Sequence, residues 1–179
     1  MDGRGTEDQG AGFGIRSAII SIPDRNGFLG VLRGIMRAHD VTIICFNADS
    51  MAGRRHAEVA VSRALRSFSE GAPIAKTLEM ESLLYAAGTR QCADAGALGI
   101  HDGENHAYVC CIPLKPAVWD ALAPLMRFVD DNYDQSDPAR IVRLKRFYGI
   151  TEEEVAAAGG ESRIQDLVIE RVALLDAYK

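Results

Sequence analysis

Four histidines and four cysteines are the residues of this chain best suited to nucleophilic or metal chemistry, and their spacing favours neither. Cys45, Cys92 and the adjacent pair Cys110 and Cys111 form no C-x-x-C motif and no compact Cys/His cluster of zinc spacing, so no metal site is expected. Cys45, Cys110 and Cys111 fall in apolar, strand-like runs, where a free cysteine acts as a small hydrophobe in a reducing compartment. His39 ends a predicted helix, His101 and His106 flank a turn, and only His56 stands beside other polar residues of interest. Hydrolysis by a nucleophile would announce itself by a G-x-S-x-G elbow, and phosphoryl transfer by a Walker loop or the kinase motifs. Zinc proteolysis would need an H-E-x-x-H pair, and none of these is present. Glu79 and Glu81, two apart on a predicted helix, point in different directions and make no carboxylate dyad. No catalytic residue and no cofactor is expected, although an active site without a local signature stays open.

The more suggestive chemistry is cationic. Val61, Ala64, Leu65 and Phe68 follow the spacing of a core-facing helix over 52–69, and at about 100° per residue Arg55, Arg63 and Arg66 fall within about 80° of one another opposite them. Such a stripe is either a solvated face or a contact for phosphates. A formal net charge of -5 repels a polyanion at long range, so any nucleic-acid contact must be a local patch.

The elements that must carry these residues read as follows. Ile15–Ile22 is a strand, and Pro23 with Asp24 turns and caps a helix to about Ala38, whose Gly27, Gly30 and Gly34 are expected to allow close packing on a sheet. Val41–Asn47 is a second strand. Thr77 caps a helix to Ala87 that Gly88 ends, and a short helix over 89–98 follows. His106–Ile112 is a third strand, entered from the polar turn HDGEN. Residues 116–126 predict a helix that Pro124 kinks or divides. Pro138–Tyr148 is a helix with several basic residues, Thr151 and Glu154 make a capping box for the next, and residues 161–177 form a closing helix.

A chain of 179 residues, 47% of them apolar, can build one sizeable core, so a single domain over 15–179 is expected behind a flexible tail at 1–14. The GAGFG of that tail precedes the first strand and is no dinucleotide fingerprint. No apolar run reaches membrane-spanning length and the first residues do not resemble a signal sequence, so a cytoplasmic protein without membrane contact is expected.

Two segments carry a family resemblance. Residues 53–91, GRRHAEVAVSRALRSFSEGAPIAKTLEMESLLYAAGTRQ, contain Gly-x-x-His, a helix of spaced alanines, Glu-x-Leu-Leu-Tyr and Gly-x-Arg-Gln, and residues 164–176, IQDLVIERVALLD, close the chain. Both resemble the kinase-binding subunit of the KEOPS (EKC) tRNA-modifying complex, in its archaeal form. The resemblance implies an α/β fold, a small, largely antiparallel sheet covered by several helices in a single domain, without catalytic activity. It implies two partners: the small atypical kinase/ATPase of that complex, and tRNA, recruited through its single-stranded 3' CCA end for threonylcarbamoyl modification. A free-standing small-molecule-binding protein or enzyme of α/β type, and a protein-interaction module without RNA contact, are the competing classes.

Surfaces for the two partners can be assigned on the residues. The closing helix has a stripe of Ile164, Leu167, Val168, Leu175 and Tyr178 for the domain core, while Ile169, Val172 and Ala173 extend its apolar character sideways and are the expected kinase contact. A basic surface of Arg54, Arg55 and His56 at one helix start and Arg90 and Gln91 at another, extended by Arg63 and Arg66, is the expected tRNA contact. Free amides at helix N-termini receive phosphates, and Arg or His can stack on unpaired bases.

Overall fold

The computed structural model describes residues 12–135 and 137–178. Its elements are β1 (Gly14–Ile22), α1 (Arg25–His39), β2 (Thr42–Asn47), a 3-10 turn (Ala48–Ser50), α2 (Arg54–Ser69), α3 (Leu78–Ala87) and α4 (Cys92–Ala95). There follow β3 (Gly103–Ile112), α5 (Pro116–Leu122), β4 (Arg127–Val129), α6 (Pro138–Tyr148), α7 (Glu152–Ala158) and α8 (Ile164–Ala177). The four strands lie in the order β2-β3-β1-β4, every neighbour antiparallel. β1–α1–β2 and β3–α5–β4 are thus two split βαβ units, each leaving room for a strand of the other.

Period-two alternation gives the sheet two apolar faces. Ala18, Ile20, Ile43, Cys45, Ala107 and Val109 pack with Leu32 of α1 and Val118 and Leu122 of α5. Ile15, Ile44, Phe46, Tyr108 and Cys110 point the other way, into a cluster with Ala57, Val61 and Ala64 of α2, Leu84 and Tyr85 of α3, and Val172 and Leu175 of α8. Leu144 and Tyr148 of α6, Val155 of α7 and Ile164, Leu167 and Val168 of α8 make a third cluster beside it. Asp24 and Thr77 cap their helices and the Thr151–Glu154 capping box is formed.

Several sequence expectations are corrected. Phe13 is buried and the first strand opens at Gly14, inside the span assigned to the tail, whose residues 1–11 lie outside the described residues. The helix after Pro116 ends at Leu122, and the three-residue edge strand β4 follows Pro124 instead of a continued helix, because proline removes the amide donor that continuation needs. The strand expected from His106 begins at Gly103 and takes up part of the polar turn. Gly30 and Gly34 do not serve close packing, since a side chain there would meet nothing within 4 Å. Gly53 does need to be glycine. Its φ is 133°, and a Cβ would collide with the Gln165 amide nitrogen and lie 2.6 Å from Asp134 Oδ1.

Two buried polar side chains fix how α6 and α2 meet the rest. Arg140, almost fully buried, donates from Nε to Met51 O (2.9 Å), from Nη2 to Ala48 O (2.9 Å) and Met51 O (2.5 Å), and from Nη1 to Gln135 O (3.1 Å) and Tyr133 O. His56 lies under α3. Its Nδ1 accepts from the Ala52 amide at 3.0 Å, so Nε2 carries the proton and donates to Ala86 O at 2.8 Å, where the Tyr148 hydroxyl also donates at 2.7 Å. Burial holds the imidazole neutral, its pKa lowered from 6.5 to about 4.

Both nodes are testable by unfolding. Arg140→Leu strands the Met51 carbonyl and leaves Ala48 O with the Met51 amide alone, and a loss of about 3 kcal/mol is expected in urea titrations; a loss under about 1 kcal/mol would show the guanidinium to be dispensable. For His56 the unfolded chain binds a proton more readily than the folded one below pH 6.5. The stability the neutral ring contributes is therefore fully present above pH 6.5 and is lost as pH falls to about 4. A shift of this size corresponds to roughly 3 kcal/mol, which a His56→Gln variant should not show. Parallel stability–pH curves for the two proteins would contradict this.

Candidate functional site

The closing helix is apolar on more than one side, and the structure shows how those sides are used. Ile164, Leu167, Val168, Val172 and Leu175 are buried. Each such side chain contributes about 1.5–3 kcal/mol, which makes α8 a core element and not an appendage. Val172, expected in the kinase contact, has no exposed surface: it packs among Val61, Leu84 and Tyr85 and cannot touch a partner. Ile169 and Ala173 are half-buried at the edge of the helix. The apolar surface that does face outward belongs to Leu174 (43% exposed) and Tyr178 (71% exposed), the latter expected in the core. The sequence signal for Leu174 was present in the alternation of Ala173, Leu174 and Leu175, but periodicity alone does not say which leucine faces inward.

The basic residues are distributed along α8 instead of gathering at one place. Arg55 pairs with Asp166 at 3.1 Å near the start of α8, Arg63 pairs with Asp176 near its end, and Arg90 Nη1 donates to Tyr178 O at 2.7 Å. At 1.5 Å per residue the points of attachment span roughly 18 Å, so Arg54 and Arg55 lie at one end of α8 and Arg90 at the other. Arg54 and Arg66 each pair with an acid one turn on, Glu58 at 3.0 Å and Glu70 at 2.9 Å. His56 is fully buried and is withdrawn from any RNA surface. Gln91 is exposed.

The N-terminus of α2 is also occupied. Asp134 Oδ1 accepts from the Arg54 amide at 2.9 Å, which places a carboxylate where a phosphate was expected. Beside it opens a recess of about 440 Å³ lined by Asp134, Ile141, Glu161, Ser162, Ile164 and Gln165. Two carboxylates in its wall make it unsuited to an anion.

Two structural roles escaped sequence reasoning. Glu81 is wholly buried, and its carboxylate accepts from Ser67 Oγ (2.8 Å) and from the amides of Ile74 (3.2 Å) and Ala75 (2.6 Å), holding the loop between α2 and α3. Asp176 accepts from the Tyr85 hydroxyl at 2.5 Å besides pairing with Arg63, so the end of α8 is pinned to both helices. Cys45 and Cys110 are buried, with their thiols pushed up by desolvation, so they are packing groups and poor nucleophiles. Among the described residues no group of three or more His, Cys, Asp or Glu could hold a metal ion, and no helix is long and apolar enough to cross a membrane.

Comparison with curated proteins finds no match. A family described as Kinase binding protein CGI-121 matches residues 27–176. The match runs from the first turn of α1 to the last turn of α8. It takes in both polar nodes, both segments that carried the resemblance and, apart from Tyr178, the surfaces just described. The chain therefore belongs to the kinase binding protein CGI-121 family.

Proposed function

We propose that this protein is a non-catalytic, cytoplasmic accessory subunit of a KEOPS-type complex, which binds the complex's small kinase/ATPase and helps bring tRNA to it by the 3' CCA end. The observation that carries the reading is the outward side of α8: a helix fixed by five buried apolar residues and pinned at its end still offers Leu174 and Tyr178 to solvent. Such apolar exposure on a rigid element is what a protein partner covers. Ala173 and Ile169 lie farther round the helix, roughly 100° and 140° from Leu174, on the side where Asp166 and Asp176 meet α2, while Val172 is buried. Leu174→Glu is expected to weaken binding to the cognate kinase at least tenfold, to order of magnitude, with the melting temperature nearly unchanged, and Ile169→Glu to do so with some loss of stability. Calorimetric titration of the kinase checks this; full affinity in both variants would reject α8 as the contact.

The tRNA contact is proposed along the seam of α2 and α8, where Arg55, Arg63, Arg66 and Arg90 run the length of the helix, with Arg54 and Gln91 at its ends. Every one of these arginines already has an intramolecular acceptor, so phosphates must compete with carboxylates such as Asp166 and Glu70. Exposed pairs of this kind are worth at most about 1 kcal/mol and can be exchanged. Binding is therefore expected to be weak and steeply salt-dependent, with Arg55→Glu and Arg90→Glu each lowering it several-fold and removal of the CCA end lowering it further. Mobility-shift titrations with intact and end-trimmed tRNA give the answer; equal affinity for both RNAs would remove the CCA end from the proposal.

A further inference from the structure

The helix α6 presents a surface that neither its own fold nor α8 uses. Its inward side is Arg140, Ile141, Leu144 and Tyr148, all buried, with Arg140 bonded to the main chain at four residues. Its outward side carries Val142 (62% exposed), Phe147 (41% exposed), Arg143 and Arg146. Pairs 142/146, 143/146 and 143/147 are three or four apart, so Val142, Arg146, Arg143 and Phe147 follow one another around roughly 140° of the helix surface. The Phe147 ring is set edge-on against Tyr148 at 4.8 Å, which holds it in one orientation.

Charge distinguishes this patch. Lys145 on the same helix is neutralised by Glu152 and Glu161, both at 3.0 Å. Arg143 and Arg146 have no ion pair among the described residues, and the nearest acceptor of Arg143 is the Asp49 carbonyl at a long 3.5 Å. Two guanidiniums without an ion pair, flanked on either side by a large exposed apolar side chain, resemble the centre of a protein interface, which is enriched in aromatics and arginine.

We infer that the outward face of α6, built on Val142, Arg143, Arg146 and Phe147, is a second docking surface of this subunit, taking a segment of the kinase whose acidic residues are flanked by apolar ones. It rests on the kinase-binding reading and adds to it a place and a chemistry. A second copy of this chain is disfavoured as occupant, because a two-fold contact would set the arginines of one copy against those of the other. A nucleic acid is disfavoured because two arginines neutralise few phosphates on a chain of net charge -5.

The experiment is calorimetric titration of the full chain and its variants with the purified cognate kinase, with melting curves to establish that each variant folds. Val142→Asp and the double variant Arg143→Glu/Arg146→Glu are each expected to weaken binding about tenfold or more at roughly 0.1 M salt. The charge-reversal effect should shrink toward parity at about 0.5 M salt while that of Val142→Asp persists. Unchanged kinase affinity in both variants, with Leu174→Glu still defective, overturns this inference and leaves the α8 reading standing. Loss of single-stranded RNA binding with kinase binding intact, or loss of self-association, overturns it by assigning the face to another occupant. No binding of the kinase by the parent chain overturns the kinase reading and this inference together.

Discussion

The arrangement of the C-terminal third depends on one guanidinium. The short turn after β2 leaves the Met51 carbonyl, and the second lone pair of an Ala48 carbonyl that already accepts from the Met51 amide, without a helix to continue into, and the loop before α6 leaves the carbonyls of Tyr133 and Gln135. A buried charge is expensive unless it is fully hydrogen-bonded, and an unpaired carbonyl is expensive without a donor. Arg140 solves both problems at once, since its planar set of donors reaches two stretches of main chain far apart in sequence. That fixes the start of α6, and α6 in turn sets Leu144 and Tyr148 against Leu167 and Val168 of α8. Lysine could not substitute, because its three donors leave a single nitrogen and do not span both stretches as the five-donor guanidinium fork does.

Comparison of magnitudes separates what holds α8 from what orients it. Five buried apolar residues together stabilise its attachment by an amount on the order of 10 kcal/mol, whereas the exposed pair Arg55–Asp166 supplies at most about 1 kcal/mol. The arginines of α2 therefore do not hold the helix on; they set its register, one near each end. This changes the meaning of the basic stripe. Read from one helix it is a row of free cations; read in the fold, Arg55 and Arg63 pair with acids more than a hundred residues later in the chain and Arg66 with Glu70 one turn on.

That difference explains what could be seen in the sequence and what could not. Helix boundaries set by local chemistry, such as Asp24, Thr77, Gly88 and the Thr151–Glu154 box, were legible because cap and helix are adjacent in the chain. The strands β1, β2 and β3 were legible from their apolar runs. β4 was not, because three residues are too short to show a period, and only pairing of Ser17–Ile19 with Arg127–Val129 makes them a strand. The acidic partners of Arg55 and Arg63, the cap that Asp134 places on α2 and the burial of His56 and Val172 all come from contacts across long sequence separations. Helical spacing orders the residues around α8 correctly but cannot say how wide the buried sector is, and so it placed Tyr178 inside and Val172 outside.

On the proposed function, the same pairing bears on how the subunit would keep an acidic protein surface and a polyanion apart. An arginine already bonded to a carboxylate offers little to an acidic protein surface, because binding must first break the internal pair, whereas an arginine without a partner loses only water. Among the described residues the ion-paired arginines of α2 contrast with Arg143 and Arg146 of α6, which have no ion pair, Arg143 donating only to the Asp49 carbonyl at 3.5 Å. A polyanion of high charge density can displace carboxylates along α2 by mass action of many phosphates; a folded protein with a few acids cannot. The fold thus sorts its cations by what it would take to reach them. The sorting follows from the placement of Asp166 and Asp176 on α8 and of Glu58 and Glu70 one turn from Arg54 and Arg66, and not from any difference among the arginines themselves.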